Sequence, residues 1–125
     1  MIQISNLEKL GMTGKTKILV VMPHPDDESV FTAGFILKAS KVNVKLDLLC
    51  MSYGEKSTKK YSVNENNDLG EVRKTELGNA CKILGVSSLI IKNYGDGKLE
   101  NKTEEMYSFL KEVYEKNEYD WVLTL

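Results

Sequence analysis

His24-Pro25-Asp26-Asp27-Glu28 gathers in five residues the side chains that bind metals and move protons. A neutral imidazole nitrogen is a metal ligand, and a carboxylate three residues on, Asp27, can bend back to the same point. One His and one Asp are two thirds of the three-residue set usual at a catalytic zinc ion. The remaining carboxylate of the pair, Asp26, then has the chemistry of a general base toward a metal-activated water. The same acids have a plainer use, since carboxylates at a helix start cap free N–H groups and complement the helix dipole. His24, tied to the pair by proline, tips the balance toward chemistry, and it is the only His of the chain.

These residues need a strand behind them and a helix in front. Ile18 to Met22 is an apolar run rich in β-branched residues, which predicts a strand over Lys17–Met22 buried on both faces. Pro25 lacks an N–H and disfavours helix at His24, so the strand stops there. Glu28 to Ser40 reads as a helix apolar nearly all round (Val30, Phe31, Ala33, Phe35, Ile36, Leu37, Ala39), hence one buried on most sides. Gly34 inside it is expected to permit a close backbone approach. Val44 to Met51 is a second strand, and two apolar strands joined by a helix form a parallel βαβ unit. Ligands bind at the strand ends of such sheets.

Leu69 to Leu84 is the next helix, with Leu69, Val72, Leu77, Ala80 and Leu84 as one apolar stripe. Arg73 and Glu76 fall within that stripe. They either pair at its edge or face a polar cavity at the first strand's end, where Arg73 would donate to a ligand. Gly85 ends the helix. Ser88 to Lys92 is a third strand, and the turn-rich loop Asn93–Gly97 sets Asp96 on the rim of His24, although Asp before Gly is also an ordinary turn former. Asn101-x-x-Glu104 reads as a helix start. Met106, Phe109, Leu110 and Val113 form that helix's apolar face, and Trp121 to Leu125 is a fourth strand. Met1 to Gly14 suggests a short strand or helical turn on the domain surface. Ser52 to Asp68 is polar and long, either a lid or a solvated insertion. Its Lys56, Lys59 and Lys60 either attract an anionic group or simply face water.

The order of elements predicts an α/β fold, a Rossmann-like open and mostly parallel sheet with helices on both faces. With 125 residues the chain is one domain. A net charge of −1 offers no basic field for nucleic acid or an anionic membrane. No apolar run approaches the roughly 20 residues of a membrane span, and the N-terminus lacks a signal-peptide core. Cys50 and Cys81 stand apart, so free buried thiols and a reduced cytoplasmic setting are expected. Met22-Pro23-His24-Pro25 stands where a dinucleotide fold carries G-x-G, so no nucleotide cofactor is expected.

His24-Pro25-Asp26-Asp27-Glu28 after a buried strand resembles the signature of the PIG-L/LmbE family of zinc-dependent N-acetylglucosamine deacetylases. Gly70-Glu71-Val72-Arg73-Lys74-Thr75-Glu76-Leu77, then Leu84-Gly85, resembles that family's second block, while Met51–Glu55 and Tyr94–Gly97 match weaker positions. The resemblance covers Thr16 to Leu125. It implies zinc on His24 and Asp27, although such ligands select weakly among divalent ions. It further implies Asp26 as base, Arg73 and Asp96 on sugar hydroxyls, and Glu28 and Glu76 as supporting residues. The implied substrate is a small amino-sugar conjugate. Members of the family continue past a strand like Val122–Leu125 into a His-x-Asp-His segment that brings the third zinc ligand and a His assisting the oxyanion. This sequence has neither. Residues 1–125 are therefore expected to be a single, partial deacetylase domain whose uncovered edges invite self-association. The alternative is a catalytically incomplete α/β binding module, or a third ligand supplied by a neighbouring molecule.

Overall fold

The computed structural model describes residues 6–58 and 68–125. The first five residues of the stretch Met1 to Gly14, and most of the long segment Ser52 to Asp68 with its Lys59 and Lys60, lie outside the described residues. Four strands, β1 (Lys17–Met22), β2 (Lys45–Cys50), β3 (Ser88–Ile91) and β4 (Trp121–Thr124), form one sheet in the order β3-β2-β1-β4. Every pairing is parallel, with Val20 opposite Leu48 and Leu123, and Leu48 opposite Leu89. Parallel strands require crossovers, which α1 (Ala33–Lys41), α2 (Leu69–Leu84) and α3 (Thr103–Asn117) supply.

Side chains alternate between the two faces of the sheet. Ile18, Val20, Met22, Leu46, Leu48 and Cys50 pack with Ile36 and Ala39 of α1 and Leu77, Cys81 and Leu84 of α2. Leu19, Val21, Leu49 and Met51 face the other way, onto Val113, Met106, Phe109 and Leu110 of α3. Helices thus cover both faces, and all four strands run their C-terminal ends to one rim. A short 3-10 turn, Leu7–Leu10, is capped by the Asn6 side chain, which accepts from the Glu8 N–H at 2.9 Å. Leu7 and Met12 sink into the core from there.

Three local expectations need correction. The helix after the motif is not buried on most sides: Val30 is 70% exposed, Phe31 61% and Leu37 41%. It opens with a π-helical turn, Glu28–Thr32, before α1 begins. A helix laid on one face of an open sheet buries a single stripe, here Ile36 and Ala39, whatever the apolarity of the rest. Gly34 meets nothing within 4 Å of where a Cβ would stand, so no close approach explains it. Asn101 does not cap a helix. It lies inside a 3-10 turn, Leu99–Lys102, and α3 starts after it.

Asp47 is the one buried charged residue within the central strand pair. Its Oδ2 accepts the Tyr119 hydroxyl at 2.8 Å, while Oδ1 finds no partner among the described residues. Burial, first, and the neighbouring carboxylate raise the Tyr119 hydroxyl well above its ordinary range. Tyr119→Phe would strand a buried carboxylate and should destabilise the fold by about 1–3 kcal/mol in urea unfolding. Removing both polar groups, with Asp47→Leu added, should cost less than the two single changes summed.

Candidate active site

The site is made where β1 stops. The Pro23 carbonyl accepts the Ser52 hydroxyl at 2.8 Å, which ties the end of β1 to the segment leaving β2. The His24 N–H then donates to Asp27 Oδ2 at 2.9 Å, so the carboxylate reaches back over the turn to an N–H three residues before it. The His24 ring lies between two carboxylates: Nδ1 is 3.5 Å from Asp27 Oδ2, and Nε2 is 3.2 Å from Asp96 Oδ1. The ring stays 37% exposed, against 15% and 14% for the two acids. Both acids are thus walls, and the imidazole faces the opening.

Asp96 reaches His24 from the loop after β3. Its Oδ2 accepts the Lys56 N–H at 3.0 Å and its own N–H donates to Glu55 Oε1 at 2.9 Å. Glu55 carried no assigned role above, and Lys56 engages here through its backbone and not through its charge. No local pattern marks Glu55, because its partner lies 41 positions away.

Asp26 is the outlier of the turn, with φ +96°, a backbone region L-residues rarely occupy. Its N–H donates to Glu28 Oε2 at 3.1 Å and its carbonyl accepts the Ser29 and Val30 N–H groups at 3.0 Å. Glu28 is 1% exposed, and its Oε1 accepts the Ser29 hydroxyl at 2.5 Å. The Asp26 side chain is 66% exposed, with Oδ2 at 2.9 Å from Arg73 Nη2. Arg73 spends further donors on protein: Nη1 on Gly54 O at 2.8 Å, and Nη2 on Pro25 O. Arg73 therefore does reach the turn from α2, but the oxygens it holds are the protein's own. Its ion pair is with Asp26 and not with Glu76, which is exposed. Glu76 lines, with Pro25, Asp26, Glu28, Ser29 and Arg73, a small cavity of about 150 Å³ behind the turn.

Two ligands of one tetrahedral zinc ion, each about 2.0–2.1 Å from it, stand roughly 3.3 Å apart. The His24 Nδ1 to Asp27 Oδ2 separation of 3.5 Å fits such a pair. The Nε2 contact with Asp96 fits the hydrogen bond that usually orients a ligating imidazole. Among the described residues, no group of three His, Cys, Asp or Glu side chains completes the set. The free thiols are not part of it: burial pushes Cys50 up to about 12 and Cys81 up to about 11, and each feels the nearby Glu28 charge.

Residues 19–125 match the PIG-L family, described as GlcNAc-PI de-N-acetylase. The chain is 36% identical over 96 residues to a probable N-acetyl-alpha-D-glucosaminyl L-malate deacetylase 2 of Bacillus anthracis, covering 74% of this chain and 42% of that protein. It is 38% identical over 90 residues to the N-acetylglucosaminyl-phosphatidylinositol de-N-acetylase of Bos taurus, covering 69% and 32%. The fold superposes on N,N'-diacetylchitobiose deacetylase of Pyrococcus horikoshii with a TM-score of 0.76, 28% identity, and coverage of 93% and 45%. The chain thus spans less than half the length of these relatives. No described helix is long and apolar enough to cross a membrane.

The thiols give the pH dependence its sign. Both are raised from the ordinary 9.0, so above that pH the unfolded chain loses protons that the folded chain keeps. Their contribution to stability is whole below pH 9 and falls as pH rises toward about 11 to 12. Urea midpoints measured from pH 8 upward should decline over that window, and a Cys50→Ala/Cys81→Ala variant should decline less steeply.

Proposed function

The chain belongs to the PIG-L family, and from that membership we propose that it carries the catalytic turn of a zinc-dependent deacetylase of N-acetylglucosamine-type conjugates. The observation that supports this most is the His24 ring set between Asp27 and Asp96, with the exposed carboxylate of Asp26 carried by the same turn. His24 and Asp27 would hold the metal. Zinc, when bound, supplies a Lewis acid for the amide carbonyl and a water of lowered pKa. Asp26 takes the proton of the attacking water and hands it to the departing amine nitrogen. Its Oδ2 is held by Arg73, which leaves Oδ1 for that exchange. Asp96, on the same rim, accepts from a sugar hydroxyl through its remaining lone pairs while keeping the His24 ring turned. Glu28 supports Asp26 from beneath. The reading places the chain, as one portion of a deacetylase domain, in the cytoplasm, in keeping with two free buried thiols.

One observation favours a second reading. The described residues offer two metal donors where three are usual, which suits an incomplete binding module or a site finished by a neighbouring molecule.

Bound zinc and amine release from N-acetylglucosamine glycosides separate the two. The deacetylase reading expects stoichiometric zinc and turnover. Asp26→Asn should lower turnover at least about 100-fold with zinc retained, while His24→Ala should lose the metal. An Asp26→Asn protein within threefold of the parent would remove the base assignment. A parent with neither zinc nor turnover would favour the incomplete module.

A further inference from the structure

We infer that the outer face of α1, together with the π-helical turn that opens it, docks a second copy of this chain, antiparallel about a two-fold axis at Gly34. The inference goes beyond the proposed chemistry and does not depend on it. Three observations carry it.

First, the face is apolar and uncovered. Val30 is 70% exposed, Phe31 61% and Leu37 41%. At helical spacing they share one stripe with Gly34, Lys38 and Lys41, which are exposed as well. Ile36 and Ala39 serve the sheet from the opposite side. Large apolar side chains scattered singly need no explanation, whereas a contiguous set marks an interaction surface.

Second, Gly34 stands in the middle of that stripe. Glycine inside a helix is unfavourable relative to alanine. A Cβ there would meet nothing within 4 Å, so packing within the chain gives no reason for it. A second helix does. Packed helix axes lie about 8–10 Å apart, set by the side chains at the crossing, and glycine at the crossing admits the closest approach.

Third, the face is acidic where it begins and basic where it ends. Asp26 is exposed at one end, Lys38 and Lys41 at the other. A two-fold contact is self-complementary, so residues equally far before and after Gly34 face each other across it. Phe31 of one copy then meets Leu37 of the other, Val30 meets the apolar stem of Lys38, and Lys41 reaches toward the acidic turn at Asp26. An anionic bilayer would suit only the lysine end of such a face, and the net charge of −1 does not favour one. One helix face buries less than the roughly 800 Å² per partner of a standard interface, so the dimer exchanges, with Kd on the order of 100 µM.

Sedimentation across a concentration series spanning that Kd should show monomer passing to dimer. Gly34→Gln separates the helix from the contact: it should raise the folded-to-unfolded ratio of the monomer about threefold and weaken association at least about tenfold. Cysteine scanning reads the register, since Cys50 and Cys81 are buried. Gly34→Cys should form an interchain disulfide, because facing Cα atoms on the axis fall within the bond's reach of about 4.4–6.8 Å. Phe31→Cys should link to Leu37→Cys at least about ten times faster than either links to itself. Ile83→Cys, on the exposed side of α2 at 79%, should link no faster than chance collision allows. A protein that stays monomeric throughout, association unchanged in Gly34→Gln, or Ile83→Cys linking as fast as Gly34→Cys would overturn the inference. So would a monomer that binds phosphatidylinositol vesicles and loses that binding in Phe31→Ser, which would give the face to a bilayer.

Discussion

A parallel strand buried on both faces has to end abruptly and hand its chain to a helix within a few residues, and the solution here is a strained turn at Asp26. That constraint governs the rest. Pro25 stops the ladder of β1, Asp27 folds back onto the His24 N–H, and Asp26 takes the left-handed step that turns the chain upward. A glycine would make that step without strain. An aspartate stands there instead, and the buried Glu28 offsets part of the cost by accepting the Asp26 N–H.

Buried and half-buried carboxylates gather on this rim and are nearly absent from the sheet. Asp26, Asp27 and Asp96 meet one imidazole and one guanidinium, and Glu28 accepts from the Asp26 N–H and the Ser29 hydroxyl. Away from the rim, Asp47 is the one carboxylate taken into the sheet, and Tyr119 covers a single oxygen of it. Buried carboxylates need partners to be tolerated, and the rim supplies them through backbone N–H groups of neighbouring turns. The same hydrogen bonds that make the charges tolerable also aim them. Stability and the proposed chemistry therefore draw on one network.

Much of this was legible in the residues. The strand Lys17–Met22 and the helix Leu69–Leu84 stand where periodicity and β-branching put them, and Gly85 ends that helix in the left-handed conformation expected of it. Asp96 stands beside His24 because strand order alone sends the loop after β3 to that rim. The exposure of Val30, Phe31 and Leu37 was not legible, since apolar composition does not say which face a helix turns to its sheet. Nor was the failure of Asn101 to cap: a 3-10 turn satisfies the same backbone groups and leaves the side chain unused.

The sequence by itself determined the elements, their parallel order and the clustering of His24, Asp26 and Asp27, because hydrophobic period, proline and short spacing are local properties of the chain. Tertiary structure alone decided what Arg73 and Glu55 grip, at separations of 48 and 41 positions. It also decided that Gly54 must leave room for a guanidinium. Those contacts depend on where two loops come to rest over the sheet, and nothing within either loop encodes the other's position.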